Sequence, residues 1–278
     1  MALLTLTLAL LAMTVATTAI EEKPLDMALG SFDDQYQGCG PAMEEALPAL
    51  HHSEFQNNSL FAKAWSAAVA EWQELGSPVS PLSSSDQAIA IQAYGVTDLY
   101  DYFDVYVRAM GHSPQEYRDN FHFKTLHFLL TRAVATLKAA QKGQKCQCVI
   151  HPELKYKFYA TPGNIVRFGQ FTLSWDSVDD RTSPHPTVFK VQTCHGVEIN
   201  AVIGKTNDKV VLIPPYEKFK VTKVIEKGDK VEIHLDSIGT YSKYNCEWLT
   251  GGSVPRAPFH IGGLLLATTG LAVATGIL

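Results

Sequence analysis

The sequence predicts an α+β fold, with a helical first part packed on a mainly antiparallel, sandwich-like β core. Apolar residues recur at helical spacing through the first half of the 278-residue chain, whereas short β-branched runs alternate with turn residues from Cys146 onward. Helices followed by strands indicate an antiparallel sheet system with the helices on one side. With 46% hydrophobic residues, one domain is expected, with a helical part at about 20–143 and a β part at about 146–250.

The helices of the first part follow from their spacing and from their stop signals. Apolar residues between Leu60 and Leu75 recur at helical spacing, and Gly76 ends the pattern. The segment 113–116 (SPQE) has the form of a capping box and opens another helical turn. Further helices are predicted at 86–94, 99–110 and 121–141. His51 and His52 are expected on the surface at a helix end, where neither supports a cofactor.

The β part is organised around the stretch 210–221 (VVLIPPYEKFKV). The apolar run from Val210 to Ile213 predicts a buried strand, and Pro214 and Pro215 break it because neither can donate a ladder hydrogen bond. Further strands are predicted at 148–150, 165–171, 187–193, 219–225 and 230–235. A Gly-Asp pair at 228–229 separates the last two strands and is typical of a hairpin turn.

Both ends of the chain have the composition of processing signals. Residues 1–19 contain an apolar run followed by small residues at a cleavage position, as in a secretory signal peptide, although no Lys or Arg precedes the run. At the other end, small residues 251–253 are followed by a spacer and an apolar tail, which is the order of a GPI-attachment signal. We therefore predict a mature domain at 20–251, lipid attachment at Gly251 with Gly252 and Ser253 as the alternatives, removal of 252–278, and a location on the extracellular face of the plasma membrane. The alternative is a C-terminal transmembrane anchor.

Charge and cysteine content narrow the class of protein further. The formal net charge of −5 argues against a nucleic-acid partner, which would require a basic surface. An extracellular location permits two disulfides and a spare thiol among Cys39, Cys146, Cys148, Cys194 and Cys246, and spacing alone does not choose the pairs. A single Cys-Gln-Cys without a second cluster predicts no metal site. Asn57 begins a glycosylation sequon in a polar stretch.

Several short motifs occur in a fixed order over nearly the whole chain. They include FDDQYQGC at 32–39, FHFK at 121–124, VRFGQF at 166–171, CHGV at 194–197, VLIPP at 211–215 and YNCE at 244–247. With them the chain resembles the vertebrate ecto-mono-ADP-ribosyltransferases, secreted or GPI-anchored enzymes that use NAD to modify arginine side chains. The resemblance covers about residues 25–249.

The resemblance implies a fold, bridges, a co-substrate and partners. It implies the ADP-ribosyltransferase fold, the disulfides Cys39–Cys246 and Cys146–Cys194 with Cys148 spare, NAD as co-substrate, and arginine-bearing surface proteins as partners. Within the VRFGQF motif, Arg167 and Gly169 are expected to contact NAD.

The resemblance also locates the family's catalytic triad, and all three of its residues are replaced. His151 stands where the family has an arginine after a Val-aromatic pair. Leu173 stands where a serine follows the phenylalanine of the Arg-Phe-Gly strand by two residues. The Glu-x-Glu pair that precedes VLIPP falls on 208–210, so Asp208 holds the first acidic place and Val210 replaces the essential glutamate.

These replacements remove the groups that the chemistry needs. Cleavage of the nicotinamide bond passes through an oxocarbenium-like sugar, as in glycoside hydrolysis, and a carboxylate stabilises the developing charge. Valine supplies neither charge nor acceptor, leucine has no hydroxyl, and histidine is shorter than arginine and often neutral at pH 7. Losing one such group typically costs about 3 kcal/mol of transition-state stabilisation.

Two hypotheses follow from the sequence. The first is a degenerate family member with weak or no transferase activity and a binding or surface-antigen role. The second is an active NAD(P)+–protein-arginine ADP-ribosyltransferase or NAD glycohydrolase that uses a rearranged acid such as Asp208, which is expected to share the face of Val210. Ser174 is expected to point to the opposite face from Leu173, because adjacent strand residues alternate. Glu198 is expected to be a solvated carboxylate at a strand edge.

Overall fold

The helices of the protein pack along one side of its β-sheet. The computed structural model describes residues 20–96, 99–141, 146–177, 185–204 and 206–250. Its helices are α1 Gly40–Asn57, α2 Ser59–Glu74, α3 Ser85–Val96, α4 Leu99–Ala109, α5 Pro114–Asn120, α6 Lys124–Ala140, α7 Asn200–Ile203 and α8 Glu247–Thr250. The strands are β1 Glu21–Pro24, β2 Gln147–Glu153, β3 Tyr156–Tyr159, β4 Ile165–Val166, β5 Thr172–Trp175, β6 Thr187–Thr193, β7 Val197–Glu198, β8 Val210–Ile213, β9 Glu217–Lys227 and β10 Lys230–Thr240. The α+β class is confirmed.

The predicted helices form close to their predicted bounds. Ser113 caps α5 by accepting the Glu116 N–H at 3.1 Å, as the capping box predicts. Gly76 follows the end of α2 with φ +84°, a conformation that glycine adopts without a steric penalty. The central helix α6 is buried on most of its surface and packs against α1, α3 and β7. It forms the middle of the helical core.

Two parts of the helical region differ from the prediction. Residues 21–24 form the strand β1, which pairs in parallel with β3, so the part before residue 143 is not entirely helical. Helix α1 was not predicted as a distinct element, because Pro48 lies inside it and its buried side forms a narrow stripe. His51 therefore lies within a helix rather than at a helix end, and it is half-buried.

The main sheet has eight strands in the order β4-β9-β10-β6-β2-β5-β8-β7. Its only parallel pair among the described residues is β6 with β10, so the sheet is mainly antiparallel, as predicted. The strand predicted at 165–171 is wrong after Val166. Gly169 has φ +70° and turns the chain, so that β4 and β5 join opposite halves of the sheet.

The sheet curls over on itself. Strands β8 and β9 are separated in the sheet by four other strands, yet Val211 of β8 and Phe219 of β9 belong to one buried apolar cluster. Pro214 and Pro215 connect these two strands directly, and their missing N–H groups end one ladder before the next begins. The stretch 210–221 thus closes the sandwich-like core, and a second, larger cluster lies between the sheet and the helices.

Two disulfides join distant parts of the chain. Cys39 is bonded to Cys246 across 207 residues, and Cys146 is bonded to Cys194 across 48 residues. Both pairings are those that the resemblance implied. Cys148 is a free thiol and is exposed.

The two predicted processing signals lie outside the described residues. These are the signal peptide at 1–19 and the tail from Gly251 to residue 278. Within the described part of the chain, no helix is both long and apolar enough to cross a membrane. Asn57 is exposed at the end of α1, and its glycosylation remains a prediction.

Candidate functional site

Three neighbouring strands carry the positions at which the resemblance predicts the catalytic triad. His151 lies on β2, Leu173 on β5 and Val210 on β8, and these strands are adjacent in the sheet. His151 Nδ1 lies 2.8 Å from the carbonyl oxygen of Leu173. Trp175 of β5 stands directly opposite Val210. Residues as far apart in the chain as His151 and Val210 therefore lie in one small region of the sheet.

Leu173 and Val210 face the helices. Val210 is opposite Trp175, and Leu173 is two residues from Trp175, so the three side chains share one face of the sheet. Val210 is only 6% exposed and belongs to the apolar cluster under the helices, against which Leu173 and Trp175 also pack. Leu212, opposite Leu173, extends this apolar surface. The place of the family's carboxylate and hydroxyl is thus occupied by hydrocarbon.

His151 packs into the other core cluster. Its ring centroid lies 5.5 Å from that of Phe168 and 5.9 Å from that of Phe189. Because a carbonyl oxygen can only accept, the bond to Leu173 fixes the proton on Nδ1. Burial is the main reason that the pKa of His151 is lowered, while the Leu173 carbonyl raises it. The imidazole is therefore neutral at pH 7 and cannot clamp a phosphate as a guanidinium does.

Asp208 lies at the open end of the β5–β8 pair. It is exposed, and its carboxylate accepts a hydrogen bond from the Ser177 hydroxyl at 2.9 Å. The Asn200 side chain donates to the Asp208 carbonyl at 2.9 Å and accepts the Val210 N–H at 2.8 Å. Asp208 lies in a bend of the chain two residues before β8, which begins at Val210. The carboxylate is held in solvent, beyond the position that Val210 occupies.

Two further groups near the site lie as the sequence predicts. Ser174 stands opposite Val211 and faces away from Leu173, and it is fully buried. Its hydroxyl has no hydrogen-bond partner among the described residues. Glu198 is exposed at a strand edge, with its carboxylate 3.4 Å from the Lys209 ammonium. Neither group reaches the apolar face of Val210.

Arg167 lies inside the protein. Its Nη1 is 2.6 Å from the Asp33 carboxylate, and both side chains are fully buried. The guanidinium also donates to the carbonyls of Met27 at 2.8 Å, Ala28 at 3.0 Å and Tyr241 at 3.0 Å. The contact to NAD expected of Arg167 has no support from this position, because protein groups enclose the side chain.

The close packing around Gly169 explains why this position holds a glycine. A side chain there would collide with Ala28 and Ser31, and the Ser31 hydroxyl donates to the Gly169 carbonyl. The motif around Gly169 thus holds the segment near residue 30 against the sheet. Its expected contact to NAD remains untested.

Asp34 joins the first motif of the chain to the last one. Its carboxylate accepts the backbone N–H groups of Tyr36 at 2.7 Å, Cys246 at 2.9 Å and Glu247 at 2.9 Å. Sequence reasoning did not find this role for Asp34 or the one for Asp33. The signal available was two adjacent acidic residues inside an otherwise apolar and aromatic motif, since buried carboxylates require several donors.

No metal centre is found in the described ranges. They contain no group of three or more His, Cys, Asp and Glu side chains that could hold an ion.

Comparison of this chain with known protein families and with individual proteins identifies its relatives. The family model described as NAD:arginine ADP-ribosyltransferase matches residues 25–243. The erythroblast NAD(P)+–arginine ADP-ribosyltransferase of Gallus gallus is 42% identical over 236 residues, which are 83% of this chain and 77% of the relative. The GPI-linked NAD(P)+–arginine ADP-ribosyltransferase 1 of Homo sapiens is 35% identical over 275 residues, 93% of this chain and 84% of the relative.

Solved structures show the same relationship. The crystal structure of the mono-ADP-ribosyltransferase ART2.2 is 34% identical to this chain, has a TM-score of 0.67, and the match covers 81% of this chain and 98% of that one. A variant of ART2.2 in complex with NAD is 33% identical, with a TM-score of 0.67 and the same coverage. The chain therefore belongs to the NAD:arginine ADP-ribosyltransferase family.

Proposed function

We propose that the protein is a cell-surface, GPI-anchored member of this family that has lost NAD cleavage and acts as a binding or surface-antigen module. The observation that carries the proposal is the apolar environment of the Val210 side chain. It is 6% exposed, lies opposite Trp175 and joins the apolar cluster under the helices. A carboxylate at this place would stabilise the sugar cation formed when the nicotinamide bond breaks, and valine cannot do so.

The three replacements act on different parts of the reaction. Valine at position 210 replaces the glutamate and so removes the carboxylate charge. Leucine at position 173 replaces the serine and so removes its hydroxyl. A neutral His151, bonded to the Leu173 carbonyl and packed on Phe189, removes the phosphate clamp. Each loss typically lowers the rate by a factor of about 100–1000, although the factors do not simply multiply. Binding of NAD does not require the carboxylate in the same way, so we expect NAD affinity to persist more than turnover does.

The proposed location rests on the ends of the chain and on its relatives. The human relative at 35% identity is named as GPI-linked. Residues 1–19 and 251–278 have the order of a signal peptide and a GPI-attachment signal. Two disulfides are consistent with passage through an oxidising secretory compartment. Surface proteins that carry arginine are the corresponding class of partner.

The alternative is an enzyme in which Asp208 is the working acid. Its exposed carboxylate accepts a hydrogen bond from Ser177 and lies next to β5 and β8, two of the triad strands β2, β5 and β8, which favours this reading. Against it, Asp208 lies in a solvent-exposed bend before β8, so the nicotinamide ribose would have to bind outside the position of Val210. Catalytic groups that are misplaced by even 1 Å lose much of their effect.

NAD turnover by the purified protein tests both readings, with and without an arginine analogue as acceptor. We expect no turnover by the wild type and measurable turnover by the combined variant His151→Arg, Leu173→Ser and Val210→Glu. Calorimetry with NAD measures binding separately from turnover. A combined variant that is folded and binds NAD yet remains inactive would mean that the site has changed beyond the triad.

The variant Asp208→Asn addresses the alternative, with Glu198→Gln as its matched control. Glu198 is another exposed carboxylate close to the same strands, paired with Lys209. Wild-type turnover that disappears in Asp208→Asn but persists in Glu198→Gln would overturn the loss of catalysis and identify Asp208 as the acid.

A further inference from the structure

A cavity of about 740 Å³ lies within the helical part of the molecule, away from the triad strands. Its lining comes from α1, α2, α3, α6 and the loop before α3, and from none of β2, β5 and β8. Ligand-binding cavities in proteins usually measure about 300–1000 Å³. The size of this cavity is therefore suited to a small organic molecule.

The walls of the cavity are largely apolar and aromatic. Trp65, Phe128 and Leu129 are buried below 8% exposure, whereas Phe55 is 38% exposed. The ring centroid of His51 lies 4.9 Å from that of Trp65 in an edge-to-face arrangement. The flat apolar body of a ligand could pack against these rings, which gain most from large planar contacts.

Two buried polar atoms in this wall, His51 Nε2 and Thr125 Oγ1, have no hydrogen-bond partner among the described residues. His51 Nε2 is buried and makes no hydrogen bond to the described residues. Burial is the main reason that the pKa of His51 is lowered, so the ring is neutral at pH 7 and one nitrogen remains an acceptor. Buried polar atoms are usually satisfied in native proteins. Since Nε2 has almost no accessible surface, the neutral His51 ring acts as part of the aromatic wall and brings no positive charge to the cavity.

The charge of the lining is acidic. Glu44 and Asp86 contribute carboxylates, and no Lys or Arg is among the lining residues in the described chain. The Glu44 carboxylate is 3.7 Å from the Arg132 guanidinium, and both side chains are substantially exposed. Asp86 has no ion-pair partner among the described residues, and its charge acts on His51. The free negative charge of the cavity is therefore centred on Asp86.

We propose that this cavity binds a small organic cation with an aromatic or aliphatic body. The body packs against Trp65 and Phe55, and the ammonium faces the exposed carboxylate of Asp86. Aromatic walls also attract cations directly through the negative faces of the rings. This binding site is independent of the proposed loss of catalysis.

Two probes of nearly equal shape test the proposal on the purified protein by titration calorimetry. They are 2-phenylethylammonium, which carries the charge, and 2-phenylethanol, which does not. We expect the cation to bind about 5–10-fold more tightly than the alcohol, since it gains both the carboxylate and the cation–π attraction. Equal affinity for the two probes, or no binding of the cation at millimolar concentration, would overturn the proposal.

Substitutions of residues that line the cavity test whether the cation binds there. Asp86→Asn should reduce the preference for the cation to about twofold or less. The matched control Glu45→Gln removes a neighbouring exposed carboxylate of α1 that does not line the cavity, and it should leave the preference unchanged. Leu47→Trp should fill the cavity and abolish binding of both probes, with folding checked by thermal melting. A folded Leu47→Trp variant that still binds the cation with wild-type affinity would place the site elsewhere and refute the proposal.

Discussion

Two regions of the molecule carry the family's motifs, and their side chains differ in kind. The terminal framework, which we define as Asp33, Asp34, Arg167 and the disulfide Cys39–Cys246, consists of buried charged groups that have partners and of a disulfide whose Cys39 is half-buried. The triad strands β2, β5 and β8 lie in the same domain, yet the positions that the resemblance assigns to the catalytic triad hold one neutral imidazole and two aliphatic side chains. The framework is held by charged and covalent contacts, whereas the predicted catalytic positions are neutral.

The difference has a physical cause. Replacing one member of a buried ion pair leaves the other charge without a partner, which typically costs about 3–5 kcal/mol. A sheet position that faces a core can accept an apolar side chain, because the new group buries additional hydrocarbon. Val210 and Leu173 are of this second kind, since both pack against the helical cluster. The fold can therefore survive the loss of the site, whereas it depends on the framework.

The largest expected effect comes from opening the framework disulfide. The double variant Cys39→Ser and Cys246→Ser should lose about 5 kcal/mol of unfolding free energy, because the bridge closes a loop of 207 residues. The corresponding change at Cys146 and Cys194, a loop of 48 residues, should cost about 4 kcal/mol. Urea unfolding measures both, and a smaller loss for the longer loop would contradict this order.

The next effect comes from the buried ion pair. Arg167→Met should lower the unfolding free energy by about 3–5 kcal/mol, since Asp33 would keep a buried charge without its guanidinium. The matched control is Lys155→Met, whose ion pair with Asp101 is exposed at both ends and should matter by less than about 1 kcal/mol. Equal losses of unfolding free energy for the two substitutions in urea unfolding would show that the buried ion pair of the framework stabilises the protein no more than an exposed one.

A buried histidine of the helical part, His127, should make the stability of the protein depend on pH. His127 is fully buried between Tyr36 and Phe32, and burial lowers its pKa to about 3. The unfolded chain takes up a proton near pH 6.5 and the folded one does not, so stability is complete above that pH and falls as pH drops toward 3. The expected slope is about 1.4 kcal/mol per pH unit.

Unfolding at pH 7 and pH 5 checks this slope. The variant His127→Gln should lose less stability than the wild type between the two values. His122→Gln removes an exposed histidine close by and serves as the control. The same slope in wild type and His127→Gln would refute the assignment.

The smallest effect lies in the triad strands. Ser174→Ala should leave stability unchanged or raise it by about 1 kcal/mol, because the buried hydroxyl has no partner in the described structure. Thr193→Ala is the contrast: its hydroxyl donates to Glu217 at 2.6 Å, and its loss should destabilise by about 1 kcal/mol or more. Thermal melting compares the two, and a destabilised Ser174→Ala variant would reveal a partner for the hydroxyl.

Local patterns predicted much of the fold. The strands at 187–193 and 210–213 form at the predicted bounds, since each is a continuous or alternating apolar run between turn residues. The strand predicted at 165–171 continues through the turn at Gly169 and ends before β5, which was not predicted as a strand of its own. Helix α1 was missed because an internal proline hides its pattern.

The sequence alone indicated the family and the disulfide partners that the resemblance implies, and it predicts that the three catalytic residues are replaced. Those properties depend on residue identity and order. Only the tertiary structure decided that Arg167 is enclosed, that Asp208 lies in solvent beyond Val210, and that His51 lines a cavity. These depend on which strands and helices pack together and on which face each side chain takes. Such contacts join residues far apart in the chain, and no local pattern specifies them.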